Sequence, residues 1–169
     1  MVDIDKLVRD AVMAAREREA REETSKPSKR RIEYISLDDA KNLAKRVEDK
    51  AREMGVNAVV AIADEGGNLK LLECMDNSYL ASRDIAMNKA YTSVALKMST
   101  KKLSGLSQPG QPLYGIQHTN GGRIVIFGGG DTLEASGKIL GGLGVSGGSE
   151  EQDTALAKYG KEIFNTMGF

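Results

Sequence analysis

The sequence predicts an α+β domain with a mainly antiparallel sheet, and three observations carry that expectation. A short apolar run, Ala58 to Ala63, meets a return run, Leu69 to Met75, across Asp64-Glu65-Gly66-Gly67-Asn68, whose turn chemistry makes a hairpin. Helical patterns flank that hairpin without the regular alternation of parallel βαβ units. From Leu113 to Ser149, two further apolar runs sit in a density of glycine that strand interiors ordinarily avoid. Glycine there implies turns, bulges or another group approaching the backbone closely.

The elements follow in order. Ile4, Leu7, Val8, Ala11, Val12 and Ala15 keep the spacing of one helix face, so residues 1–20 read as an amphipathic helix. Residues 21–31 lose aliphatic side chains and carry Pro27, the composition of a flexible polar linker. Residues 32–169 form the globular part. Ser36 with Asp39 makes a capping box, and Leu37, Ala40, Ala44, Val47, Ala51 and Met54 supply an apolar face that Gly55 ends. A second helix is expected from about Ser78, with Leu80, Met87, Tyr91, Val94 and Met98 on one face and Ala86 and Ala90 permitting close approach. Thr100 is the expected cap of a shorter helix ending near Leu106, after which Pro109, Gly110 and Pro112 enforce a loop. Two more strands are expected around Ile124 to Phe127 and Lys138 to Val145, and Ser149 with Gln152 opens a terminal helix.

Several function classes are disfavoured. The 24 basic and 24 acidic side chains balance, which gives no electrostatic case for nucleic acid or anionic lipid. No apolar run approaches membrane-spanning length, and the N-terminus lacks a signal peptide's apolar core, so a cytoplasmic location is expected. Cys74 stands alone and reads as a buried apolar thiol. Gly142, Gly144 and Gly147 spell GxGxxG, but the second strand and ribose-binding acid of a dinucleotide site have no room in the remaining residues. Glu150, Glu151 and Asp153 would also repel phosphates there.

The run SLDDAKNLAKRVEDKAREMGVNAVVAIADEGGNLKLLECMD, then SRDIAMNKAYTSVALKMST, QPGQPLYGIQHTNGGRIVIFGGG and GKILGGLGVSGGSEEQDTALAKYG resemble the GlcG/HbpS family, which includes the C-terminal domain of PduO. The resemblance implies a profilin-like fold with a five-stranded sheet flanked by helices, assembled as dimers or octamers. It also implies haem binding, with a corrinoid as the weaker alternative, and association with a bacterial microcompartment. Residues 1–20 resemble the encapsulation peptides of microcompartment cargo, and a place in the compartment lumen with shell or cargo proteins as partners follows from that. The alternative is a helix that docks on its own oligomer.

Individual residues carry competing readings. Asp64, Gly66 and Gly67 match the family's turn motif, and turn geometry alone explains them as well as a ligand role does. Lys89 lies with Ile85, Thr92 and Leu96, and can snorkel to solvent or pair with an anion such as a haem propionate. Tyr91 reads as core with a satisfied hydroxyl. Asn120-Gly121-Gly122 is either a hairpin turn or, beside Tyr114 and His118, a source of backbone N–H groups for carboxylates. His118, the only histidine, is a candidate axial haem ligand. The histidine proposed as ligand in a PduO relative has no counterpart, since the first domain helix contains none. Three functions remain open: a tetrapyrrole-binding accessory protein, an enzyme acting on haem or a small oxygenated metabolite, and a structural oligomer whose glycines serve tight packing. No clustered Ser/His/Asp, Cys/His or carboxylate arrangement supports catalysis directly.

Overall fold

The computed structural model describes residues 34–167; the helix expected at residues 1–20 and the linker at 21–31 lie outside them. The order is α1 (Leu37–Glu53), β1 (Val59–Asp64), β2 (Leu69–Cys74), α2 (Ser82–Leu96), α3 (Thr100–Leu106), two single-turn 3-10 segments, β3 (Gly130–Ala135), β4 (Lys138–Ser146) and α4 (Glu150–Thr166). The strands form one antiparallel sheet in the order β2-β1-β4-β3. It has four strands among the described residues rather than the five expected.

Alternation along β1 divides the core. Val60 and Ile62 join Leu43, Val47, Leu143, Val145, Leu156 and Phe164 in one apolar cluster, built with α1 and α4. Val59, Ala61 and Ala63 join Ala86, Ala90 and Val94 of α2 in another. A strand with helices on both faces is apolar at every position, which is why the run from Val59 to Ala63 shows no polar alternation. Both expected capping boxes form: Ser36 Oγ accepts the Asp39 N–H at 3.1 Å and Ser149 Oγ the Gln152 N–H at 3.3 Å.

The glycines of β4 belong to helix–sheet packing. A Cβ on Gly144 would lie 2.6 Å from the Ala90 nitrogen and closer still to the Ala86 carbonyl; one on Gly142 would lie 2.5 Å from Ser93 Oγ. The GxGxxG run therefore lets α2 lie directly on the strand, and β4 is antiparallel to both its neighbours. A dinucleotide fold has parallel strands there.

Four local expectations need correction. Ile124 to Phe127 is not a strand, because side chains from helices take the ladder's place: Val125 N–H donates to Thr92 Oγ1 at 3.0 Å and Gly128 N–H to Glu150 Oε1 at 3.1 Å. The strand begins six residues later, at Gly130. α2 starts at Ser82, after turns that leave Tyr79 and Leu80 exposed. α3 is capped by Ser99, not Thr100, whose Oγ1 instead accepts the Gly130 N–H at 2.8 Å. Cys74 is exposed, since it ends β2 and β2 is an edge of the sheet.

Candidate functional site

Two of the candidate residues sit on α2, and the helix sends them apart. Lys89 and Tyr91 are two positions apart, about 200° round the axis. Lys89 points inward and is fully buried, contrary to the expected snorkelling. Its Nζ donates to Asp153 Oδ2 and to the Val145 carbonyl, both at 2.8 Å, and stands 4.9 Å from the centre of the Phe127 ring. Burial pulls its pKa below the ordinary lysine value, against the opposing charge of Asp153. Asp153 Oδ1 also accepts the Gly148 N–H at 2.9 Å, so the ion pair ties α2, β4 and the start of α4 together. Lys89 is thus enclosed, and its charge is met by Asp153 rather than by solvent. The sequence could not show this because its partner is 64 positions away.

Tyr91 points the other way and gathers two of the remaining candidates, Gly67 and Asn120. Asp64 Oδ1 accepts the N–H groups of Gly66 and Asn68, each at 2.9 Å, and so closes the β1–β2 turn. Burial by itself would raise the Asp64 pKa, but these bonds, with Asn68's amide and Lys70, hold it below its ordinary value. The turn brings Gly67, at φ 76°, against the Tyr91 ring, where an added Cβ would be 3.0 Å from Cδ2. Asn120 Nδ2 donates to Tyr91 Oη at 3.2 Å, and the Arg123 guanidinium stacks on the ring, its Cζ 3.6 Å from the centroid. Arg123 escaped the sequence reading, though its position directly after Asn120-Gly121-Gly122 was a signal.

Asn120, Gly121 and Gly122 all have positive φ and form a 3-10 turn, so the hairpin reading of Asn-Gly fails. Among the described residues no strand directly flanks the turn, so there is no pair for it to join. Tyr114 is 65% exposed and His118 is exposed, with Gln117 Nε2 3.4 Å from His118 Nε2. The Gln117 Oε1 beside it is buried without a hydrogen-bond partner. Nothing lies within 4 Å of a Cβ added at Gly115, Gly121 or Gly122. The loop thus offers an exposed imidazole and an exposed phenol, side chains of the kinds that ligate haem iron, and beside them one buried acceptor, Gln117 Oε1, that is unmet. Among the described residues no group of three or more His, Cys, Asp or Glu could hold a bare metal ion, and no helix is long and apolar enough to cross a membrane.

A family model described as haem degrading protein HbpS-like matches residues 35–162. The chain belongs to the HbpS-like family. This HbpS-like chain is 45% identical over 136 residues to an uncharacterised 15.0 kDa protein of the dhaT-dhaS intergenic region of Citrobacter freundii, covering 80% of this chain and 96% of that one. It is 40% identical to the corrinoid adenosyltransferase PduO of Salmonella typhimurium over 73% of its own length but 37% of PduO's. Among solved structures, the PduOC:haem complex matches at 38% identity and a TM-score of 0.74, covering 76% of this chain and 94% of that one. The Klebsiella pneumoniae protein ORFY matches at 40% identity and a TM-score of 0.76, covering 83% and 97%. HbpS itself, at 22% identity and a TM-score of 0.70, shares the α+β fold.

Proposed function

We propose that this protein is a haem-binding accessory protein that works with a bacterial microcompartment. The observation that carries the reading is its similarity to a chain whose structure is a haem complex, across nearly the whole of that chain. The open loop with His118 and Tyr114 supports it, because both side chains reach solvent and either atom type ligates haem iron. His118 or Tyr114 would hold the iron, and Asn120, Gly121 and Gly122 would line the approach. When bound, haem supplies an iron centre for redox or ligand exchange; the chain's own part is to bind and orient it. A macrocycle on so open a loop needs a second wall, and a symmetric copy is the proposed source, in keeping with the dimers or octamers that the family resemblance implies. The profilin-like description of the fold belongs to the same proposal.

Residues 1–20 are the proposed address, a helix whose apolar face binds shell or cargo proteins in the compartment lumen. A corrinoid is the second reading, favoured by the likeness to part of PduO, whose name is that of a corrinoid adenosyltransferase. Titration of the purified protein with haem and, separately, with cobalamin tests both. Haem binding is expected to shift the Soret band from its free position, and His118→Ala or Tyr114→Phe to move it again according to which side chain would hold the iron. An unshifted Soret band defeats the haem reading, and a cobalamin shift in its place installs the second.

A further inference from the structure

We propose that Arg123 is a carboxylate anchor, held ready for a ligand's acid group by the face of Tyr91. The guanidinium stacks on the ring at 3.6 Å, and no carboxylate among the described residues pairs with it. Stacking engages the flat face of the group and leaves its edge N–H donors free. Both ends of the residue are fixed. Its carbonyl accepts a hydrogen bond from Thr92 Oγ1 at 3.3 Å, and that same hydroxyl oxygen accepts the Val125 N–H at 3.0 Å. The platform is fixed as well, by Asn120 on its hydroxyl and by the Gly67 turn on its ring. An exposed arginine ordinarily loses conformational freedom when it binds; this one has lost most of it already.

A planar fork with free edge donors matches a carboxylate bidentately. A phosphate dianion suits the corner less well, because one cation faces it and the Asp64 carboxylate stands in the supporting turn. The ligand's identity rests on the haem reading: the acid group is then a haem propionate, while the same chemistry would hold a free carboxylate.

The test compares haem with haem dimethyl ester, whose propionates are capped, on the full chain and on Arg123→Gln and Arg123→Lys. Wild type is expected to bind haem about tenfold more tightly than the ester, as a charge-assisted bidentate contact warrants. In R123Q the two should bind alike with an unchanged Soret maximum, since iron ligation is not touched, and R123K should regain part of the preference. Equal affinities of wild type for haem and ester overturn the anchor. If wild type shifts neither Soret band, the haem reading has failed and succinate decides the anchor. A saturable shift of the Arg123 Nε–H resonance, assigned by its loss in R123Q, supports it for another carboxylate source, and no shift overturns it.

Discussion

Lys89 shows how far one residue can depart from the expectation set by its own neighbourhood. A lysine among Ile85, Thr92 and Leu96 looks free to reach water, yet α4 seals it in with Asp153. Breaking a buried pair leaves one uncompensated charge, so Lys89→Met or Asp153→Asn should each cost about 3–5 kcal/mol in urea denaturation. The double variant K89M/D153L should recover much of that loss, because neither charge is then stranded. Asp64 makes a pH prediction of known sign. Its folded pKa is depressed, so its contribution to stability is complete above the unfolded value and is lost as pH falls through the lower, folded one. NMR titration of its carboxyl should give a midpoint below that of an unstructured aspartate, and Asp64→Asn should flatten the acid limb of the stability curve.

At the scale of elements, α2 lies close against the backbone of β4. That approach depends on Ala86 and Ala90 facing Gly142 and Gly144, and Gly144→Ala would push a methyl group into helix backbone. Overpacking of that kind should cost about 3 kcal/mol or leave the protein insoluble, read as a drop in the midpoint of thermal unfolding. The helix caps are local by comparison. Ser149→Ala should cost about 1 kcal/mol, the usual worth of such a cap, with the fold intact by circular dichroism. The missing strand at Ile124 to Phe127 belongs here too: its apolar residues are a strand's, but Thr92 claims its backbone at Val125 and Glu150 that of Gly128 just after it. Ile124 keeps the buried place its hydrophobicity called for, at 4% exposure, without joining the sheet.

For the whole molecule, the proposed division of labour puts ligand binding in the globular part and address in residues 1–20. Deleting that segment should leave the melting temperature and the Soret shift unchanged while a fluorescent fusion loses its compartment signal. Leu7→Glu and Val12→Glu should mimic the deletion by placing charge on the apolar face. A deletion that unfolds the protein or lowers its oligomeric state, measured by light scattering, would return the segment to the core.

Composition, periodicity and capping residues determined α1, α4, the hairpin and the α+β class, and placed α2 and α3 to within a few residues, because each of those signals acts over a short stretch of chain. The order of the family blocks identified the HbpS-like fold and put Gly67 and Asn120 on the list of candidates. Only the tertiary structure decided what those candidates touch. It joined Gly67, Asn120 and Arg123 on the ring of Tyr91, from segments more than 50 positions apart, and left Tyr114 and His118 out in the open loop. It also buried Lys89, since the charge that lets a lysine leave water arrives from another element. Partners brought together by packing leave no periodic trace in a sequence, and the surroundings of Tyr91 and of Lys89 are made of such partners.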